Sequence, residues 1–209
     1  MRRTQTSVEE KWNTITHAFG AVLGVIGLIL LLLYTKQHSS WSLFSIIVYG
    51  ISIIILFSAS ALYHSVTKKR HKYYLRIIDH ISIYLLIAGT YSPVLLIALH
   101  KSLGWNLFWT VWGIAGFGLI LKLFFTGRFE VFSTLLYLVM GWLIVFDFTN
   151  LSQVIGTNGV YLLFAGGFFY TVGILFYALE RLPYNHVIWH LFVLAGAISH
   201  FLMIFKYVI

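Results

Sequence analysis

The amino-acid sequence predicts an all-α integral membrane protein, a bundle of seven transmembrane helices. Of the 209 residues, 60% are hydrophobic and only 10% are charged. A soluble domain of this size could not cover its core with so little polar surface. The apolar residues are also grouped into runs of roughly 20, the length that crosses a hydrocarbon core of about 30 Å. The chain therefore needs lipid around it.

Seven apolar runs are the candidate spans, and short polar connectors separate them. The clearest connector is 67–76, with the sequence TKKRHKYYLR. Connectors this short require consecutive helices to be antiparallel neighbours. No linker divides the sequence, so residues 1–209 are expected to form one domain, with 1–15 as a cytoplasmic N-terminal segment. The predicted spans are 16–34, 42–65, 77–99, 106–125, 131–146, 159–179 and 186–208.

The Lys and Arg residues are distributed unequally between the two ends of these spans. Short loops rich in Lys and Arg stay in the cytoplasm. With seven crossings, eleven of the fourteen basic residues lie on the side of the N-terminus, and only Lys36, Lys101 and Lys206 lie on the other. We therefore expect the N-terminus inside and the C-terminus outside. This orientation is opposite to that of G-protein-coupled receptors.

Charge and cysteine content exclude two other kinds of function. The formal charge of +8 would suggest nucleic-acid binding in a soluble protein. Here the basic residues lie between apolar runs rather than on one basic and aromatic face, so no nucleic-acid partner is expected. The chain has no cysteine. Disulfides and thiolate metal sites are thereby excluded, and a metal site would depend on His, Asp and Glu.

Ionisable side chains inside the predicted spans are few, and each indicates function because it is costly in lipid. His186 and His190 open the seventh span four residues apart. That spacing places both rings on one helix face, with Cβ atoms about 5–6 Å apart, which suits two ligands of one metal ion. Catalytic zinc commonly takes three protein ligands and one water. His64, near the end of the second span, is the best candidate for the third.

The predicted topology brings these histidines to the same cytoplasmic depth as one carboxylate. Asp79 opens the third span, and Ser60 lies one turn before His64. The spacing of His186 and His190 alone leaves metal binding open, whereas adding His64 and Asp79 at a matching depth favours a metal site. Three neutral nitrogens favour zinc, with iron and nickel as alternatives.

Several polar residues near span ends have structural roles that need no metal. Asp79 could also pair with Arg76 or cap the third helix. His80 faces about 100° away from it and is expected to pack against a neighbouring helix. His200 lies roughly 15 Å deeper than His190, so it is expected to be a buried hydrogen-bonding residue. An interfacial or solvated position is expected for His38, His71, His100, Asp147 and Glu180.

Four runs of the sequence carry a resemblance to a known family. They are EEKWNTITH at 9–17, Ser60-x-x-x-His64, DHISIYLLIAGTYSP at 79–93 and His186-x-x-x-His190. In these runs the chain resembles the bacterial hemolysin III proteins, a branch of the progestin and adipoQ receptor family. The resemblance covers essentially the whole chain and extends to adiponectin receptors and, distantly, alkaline ceramidases. It implies a seven-helix fold with zinc near the cytoplasmic face.

The resemblance also implies residue roles. His64, His186 and His190 would bind the zinc, while Ser60 and Asp79 would hold or activate its water. The leading hypothesis is therefore a zinc-dependent hydrolase in the bacterial plasma membrane, cleaving an amide or ester bond of a membrane lipid. A sensor or regulator with a structural zinc is the alternative. A pore-forming cytolysin fits less well, because the spans show no polar stripe to line a pore.

Overall fold

The computed structural model describes residues 4–36 and 39–209, in which all regular structure is helical. Arg2 and Arg3 of the charge count, and His38, lie outside the described residues. A π-helical turn, Val94–Ala98, follows the helix that ends at Pro93, and a 3₁₀ segment, Leu143–Asp147, joins the helices that end at Trp142 and begin at Phe148. The helices are α1 (Ser7–Tyr34), α2 (Ser42–Ser65), α3 (Lys69–Pro93), α4 (Gly104–Phe125), α5 (Glu130–Trp142), α6 (Phe148–Ala178) and α7 (Asn185–Tyr207).

In these described ranges, six helical segments are long and apolar enough to cross a membrane. The helical membrane fold is thus confirmed. One of the six is 49 residues long, because α5 and α6 form one run of helix that contains both the fifth and the sixth predicted spans. The six segments are Ser7–Tyr34, Ser42–Ser65, Lys69–Ala98, Gly104–Phe125, Glu130–Ala178 and Asn185–Tyr207.

Three helices, α1, α3 and α6, begin well before the apolar runs predict, and the reason is clear for α1 and α3. α1 begins at Ser7 because Thr6 and Glu9 form a capping box, in which each side chain accepts a hydrogen bond from the main chain of the other. α3 begins at Lys69, so the predicted connector 67–76 was wrong from that residue onwards. Hydropathy locates the part of a helix that lies in lipid, whereas the helix continues through polar residues that are good helix formers.

Beyond the 3₁₀ segment, the long run of helix from α5 to α6 departs from helical geometry at Gly156, within α6. Gly156 has φ of 62° and ψ of −179°, a conformation that glycine adopts without the clash of a Cβ atom. The helix axis is therefore kinked there. The residues just before the kink, Leu151 and Ile155, are buried.

The packing of the helices brings the start of α1 next to the end of α2 and the start of α7. α1 packs against both of those helices, and α6 packs against α7. α3 packs against α2 and α4, and α5 contacts α3 and α4. Gly20 and Gly24 let α1 approach α2 closely, since added Cβ atoms would collide with Phe57 and Ile53.

Candidate metal centre

Three histidines from two helices meet near one end of the bundle. His64 lies in the last turn of α2, and His186 and His190 lie in the first two turns of α7. One ring nitrogen from each lies within 4.8 Å of the others, and the ring centroids are 4.6–5.0 Å apart. We call these residues the histidine cluster. The cluster could bind a metal ion, because each ring offers one ligand atom to a common point.

The start of α7 is held in place by hydrogen bonds from outside the helix. The main-chain N–H of Tyr184 donates to Oε1 of Glu9 at 2.7 Å. The side chain of Asn185 donates to the carbonyl of Phe176 at 3.2 Å. These contacts determine where α7 begins, and the four-residue spacing then places both histidine rings on one face.

The hydrogen bonds of these rings leave a nitrogen available for a ligand. Nδ1 of His64 lies 2.6 Å from Oε2 of Glu10, and Nδ1 of His190 lies 3.3 Å from the carbonyl oxygen of Asn13. Both of these partners are acceptors, so in the neutral ring the N–H lies on Nδ1 and the lone pair on Nε2. Nε2 of His64 is buried and has no hydrogen-bond partner among the described residues. An orphaned lone pair beside two further imidazoles fits a zinc-type ligand set.

Ser60 and Asp79 lie beside the histidine cluster, on α2 and α3. Ser60 is only 2% exposed. Both residues line the same cavity as His186 and His190. The structure thus brings together the residues that the sequence singles out, while the chemical role of each stays a prediction.

A cavity of about 160 Å³ extends from these polar residues into the apolar part of the bundle. Its walls come largely from apolar side chains of α3, α5, α6 and α7, and its far end reaches Trp142 and His200. Gly141 and Gly167 line it from α5 and α6, and a Cβ on either would meet no described atom within 4 Å. The cavity therefore joins a polar end to an apolar chamber, with open space beside Gly141 and Gly167.

The position of Asp79 excludes one of its two predicted structural roles. α3 begins ten residues earlier, at Lys69, so Asp79 cannot cap the helix. The prediction of a cap was wrong because the basic segment before the apolar run is itself helical. Arg76, the other predicted partner, forms its ion pair with Glu130.

A second polar cluster lies beside the first, where α3, α4 and α5 meet. Glu130 accepts a hydrogen bond of 2.7 Å from Lys122, whose side chain is 1% exposed. Arg76 lies 3.2 Å and His80 3.6 Å from the same carboxylate. The N–H of Gly127 donates to it as well. We call these residues the Glu130 cluster. The one carboxylate is thus in contact with two cationic side chains, Lys122 and Arg76.

Asp147, predicted to be a solvated carboxylate, is buried, with 4% of its surface exposed. It accepts hydrogen bonds from the hydroxyl of Ser102, the N–H of Leu103 and the side chain of Asn150. The prediction was wrong because the helix continues beyond Asp147 into α6, so the end of the predicted span is not an exposed loop.

Besides His17 and His80, three histidines lie in the described part of the chain outside the histidine cluster. His200 hydrogen-bonds the carbonyl of Leu163 at 3.2 Å, as predicted. His100 hydrogen-bonds the carbonyl of Ile97 near the start of the loop before α4. His71 is exposed near the start of α3.

α1 contributes three residues near the histidine cluster to which the sequence patterns assigned no role. Glu10, Asn13 and His17 follow one another at three and four residues, and so lie on one helix face. The ring of His17 is 3% exposed and stacks on His190 with the centroids 3.5 Å apart. The spacing of Glu10, Asn13 and His17 could have been used to predict a polar helix face. It was missed because the predicted span began at residue 16, which assigned Glu10 and Asn13 to a polar N-terminal segment.

Known proteins resemble the chain over nearly its full length. A family model described as "Haemolysin-III related" matches residues 5–201. The chain is 44% identical over 209 residues to "Hemolysin-3" of Bacillus cereus, covering 100% of this chain and 95% of the relative. It is 42% identical over 203 residues to "Hemolysin-3 homolog" of Bacillus subtilis (strain 168), covering 97% and 95%. It is 30% identical over 214 residues to the human "Monocyte to macrophage differentiation factor", covering 99% and 87%.

Proposed function

The chain belongs to the haemolysin-III-related family of the progestin and adipoQ receptor group, and from this premise we propose that it is a zinc-dependent hydrolase of membrane lipids. Proteins of this family are multi-pass membrane proteins, in bacteria of the plasma membrane. One observation carries the proposal. The histidine cluster, with a free buried lone pair on His64, lies beside Ser60 and Asp79 at the polar end of an apolar cavity.

The proposed topology has seven spans. A straight helix of 49 residues would be about 74 Å long, more than twice the hydrocarbon thickness. Asp147 binds Ser102 at the end of the bundle where α3 connects to α4. The carbonyl of Phe176 binds Asn185 at the opposite end, where α7 begins. α5 and α6 would therefore cross in opposite directions, with the chain reversing near Gly156.

The proposed orientation places the histidine cluster at the cytoplasmic face and the C-terminus outside. The end of α2 is followed by a basic segment, Lys68, Lys69, Arg70 and Lys72, which includes the first turn of α3. Short segments rich in Lys and Arg stay in the cytoplasm. A lipid substrate would then present its polar bond at the cytoplasmic boundary and its acyl chain to the interior of the bilayer.

Each residue has a defined task in the proposed reaction. His64, His186 and His190 would hold zinc, which when bound supplies a Lewis acid for the scissile carbonyl and an activated water. The Asp79 carboxylate would take the proton of the attacking water and deliver it to the leaving nitrogen or oxygen. The Ser60 hydroxyl would donate a hydrogen bond to the water or to the developing oxyanion.

The cavity supports a lipid rather than a water-soluble substrate. Its polar residues are gathered mainly near the cluster, while its walls between α3, α5, α6 and α7 are mostly apolar. An acyl chain would lie along those walls, with the bond to be cleaved next to Asp79. The space beside Gly141 and Gly167 would let the chain enter sideways from the lipid.

Metal analysis of the purified protein tests the proposal. We expect about one zinc per chain by mass spectrometry, and its loss in the double variant His186→Ala/His190→Ala, which removes two of three ligands. The matched control is His71→Ala/His100→Ala, two histidines outside the cluster. Absence of metal from wild-type protein purified without chelators would contradict the hydrolase proposal. Bound zinc makes a screen of lipid amides and esters the next step.

A sensor or regulator with a structural zinc is the second candidate. The favouring observation is that the cluster joins α2 to α7, while Glu10 and Asn13 of α1 hold the opposite ring nitrogens. A metal there would tie three helices together. In this case zinc removal would lower the thermal stability, and no lipid bond would be cleaved.

A pore-forming cytolysin is suggested only by the names of the Bacillus relatives. Purified, detergent-free protein added to erythrocytes tests it. Lysis at low dose with the zinc removed would favour a pore over the hydrolase.

A further inference from the structure

The first turns of α1 contact two of the three cluster histidines. Oε2 of Glu10 lies 2.6 Å from Nδ1 of His64. The carbonyl oxygen of Asn13 lies 3.3 Å from Nδ1 of His190. Nζ of Lys72 lies 2.6 Å from the other oxygen of Glu10 and holds the carboxylate in position. α1 therefore binds the nitrogens that a metal would not use.

Two groups of α1 compete for Nδ1 of His64, and they require opposite tautomers. Glu10 is an acceptor and needs the proton on Nδ1. The side-chain N–H₂ of Asn13, 3.5 Å away, is a donor and needs the lone pair there. Glu10 is closer and charged, so it is the stronger partner. Asn13 already donates to Gln5 at 2.6 Å. The lone pair of His64 is thereby kept on Nε2, beside the other two histidines.

We propose that Glu10 is a positioning residue of the metal centre, acting through His64. It selects the tautomer that can bind a metal and fixes the orientation of the ring. Histidine ligands commonly donate their second N–H to a carboxylate, and the loss of that partner typically weakens metal binding 10–100-fold. This inference rests on the proposed function, because it requires a metal at the histidine cluster.

Zinc affinity of the full-length purified protein, measured by competition with a chelator, tests the inference. We expect Glu10→Gln to bind zinc about 10–100-fold more weakly than wild type, because a neutral amide is a weaker acceptor. Glu10→Ala should lose more, since Asn13 can then donate to Nδ1. Glu10→Asp, which keeps the charge, should recover part of the affinity. Glu180→Gln, the same exchange at a residue that neither joins the cluster nor lines the cavity among the described residues, should match wild type.

Cobalt absorption and thermal unfolding separate positioning from folding. Cobalt bound in place of zinc reports ligand geometry in its visible spectrum, which Glu10→Gln should change. The unfolding midpoint of the metal-free variant should equal that of metal-free wild type. Wild-type zinc affinity and an unchanged cobalt spectrum in Glu10→Gln, with metal lost from His186→Ala/His190→Ala, would overturn this inference alone. A wild-type chain that binds neither zinc nor cobalt would overturn the proposed function as well.

Discussion

The histidine cluster and the Glu130 cluster lie near the same end of one cavity, yet their hydrogen bonding differs. In the Glu130 cluster, the buried Lys122 ammonium and the partly exposed Arg76 guanidinium both contact the Glu130 carboxylate, so the buried Lys122 charge has a countercharge. In the histidine cluster, Nε2 of His64 has no partner among residues 4–36 and 39–209, and the stacked His17 has none for either ring nitrogen. Buried polar atoms are normally hydrogen-bonded. The satisfied cluster is explained by folding, whereas the histidine cluster could bind a metal ion.

The comparison predicts its largest effect at Asp79, which lies between the two clusters. Asp79→Asn removes the proposed proton acceptor while leaving the histidines in place. Lipid hydrolysis should fall about 10²–10⁴-fold, the usual contribution of a general base. Zinc should stay at about one per chain. Product release from lipid amides and esters, together with metal analysis, measures both.

The control for Asp79→Asn is Asp147→Asn, the same exchange at the other end of the bundle. It should leave the rate per folded molecule unchanged. An Asp79→Asn protein that keeps both zinc and full hydrolysis would remove Asp79 from the mechanism. If the wild-type protein hydrolyses no lipid and the Asp79→Asn protein keeps its zinc, the result would favour the sensor with a structural metal.

A substitution in the Glu130 cluster should lower the stability of the protein rather than its metal binding. Glu130→Gln leaves the charge of Lys122 buried without a countercharge, and breaking a buried pair in this way costs about 3–5 kcal/mol. We therefore expect a lower thermal unfolding midpoint in detergent and unchanged zinc content of the folded protein. Adding Lys122→Met to Glu130→Gln should recover most of the midpoint, because it removes the stranded charge. Loss of zinc at an unchanged midpoint would show that the two clusters are one functional unit.

The smallest effect is expected in the cavity that joins the two clusters. Gly167→Leu would fill open space, so the thermal unfolding midpoint should not fall. Hydrolysis of long-chain substrates should decrease about tenfold relative to short-chain ones, since one methylene in an apolar pocket already changes selectivity by that amount. The matched control is Gly113→Leu, on α4, which has open space around it but does not line the cavity among the described residues. Equal activity of Gly167→Leu on substrates of all chain lengths would show that the acyl chain does not lie beside Gly167.

Hydropathy predicted the parts of the fold that lipid dictates. Inside the hydrocarbon every main-chain polar group must be satisfied within the chain, so apolar runs of this length become helices. The predicted span 42–65 coincides with α2, and 106–125 differs from α4 by two residues. The starts of α1 and α3 were missed, because a capping box and a basic segment extend these helices beyond the apolar runs.

By itself the sequence determined the helical membrane fold and the common face of His186 and His190. Both depend on local properties, namely the length of apolar runs and the 3.6-residue turn. Only the tertiary structure decided that Glu10 holds His64 and that Glu9 holds the start of α7, contacts that join residues 54 and 175 positions apart. Such contacts depend on how all the helices pack, and no local pattern encodes that arrangement. For the same reason, the sequence around Lys122 and Glu130, which lie at the ends of two predicted spans, does not predict that they form a buried pair.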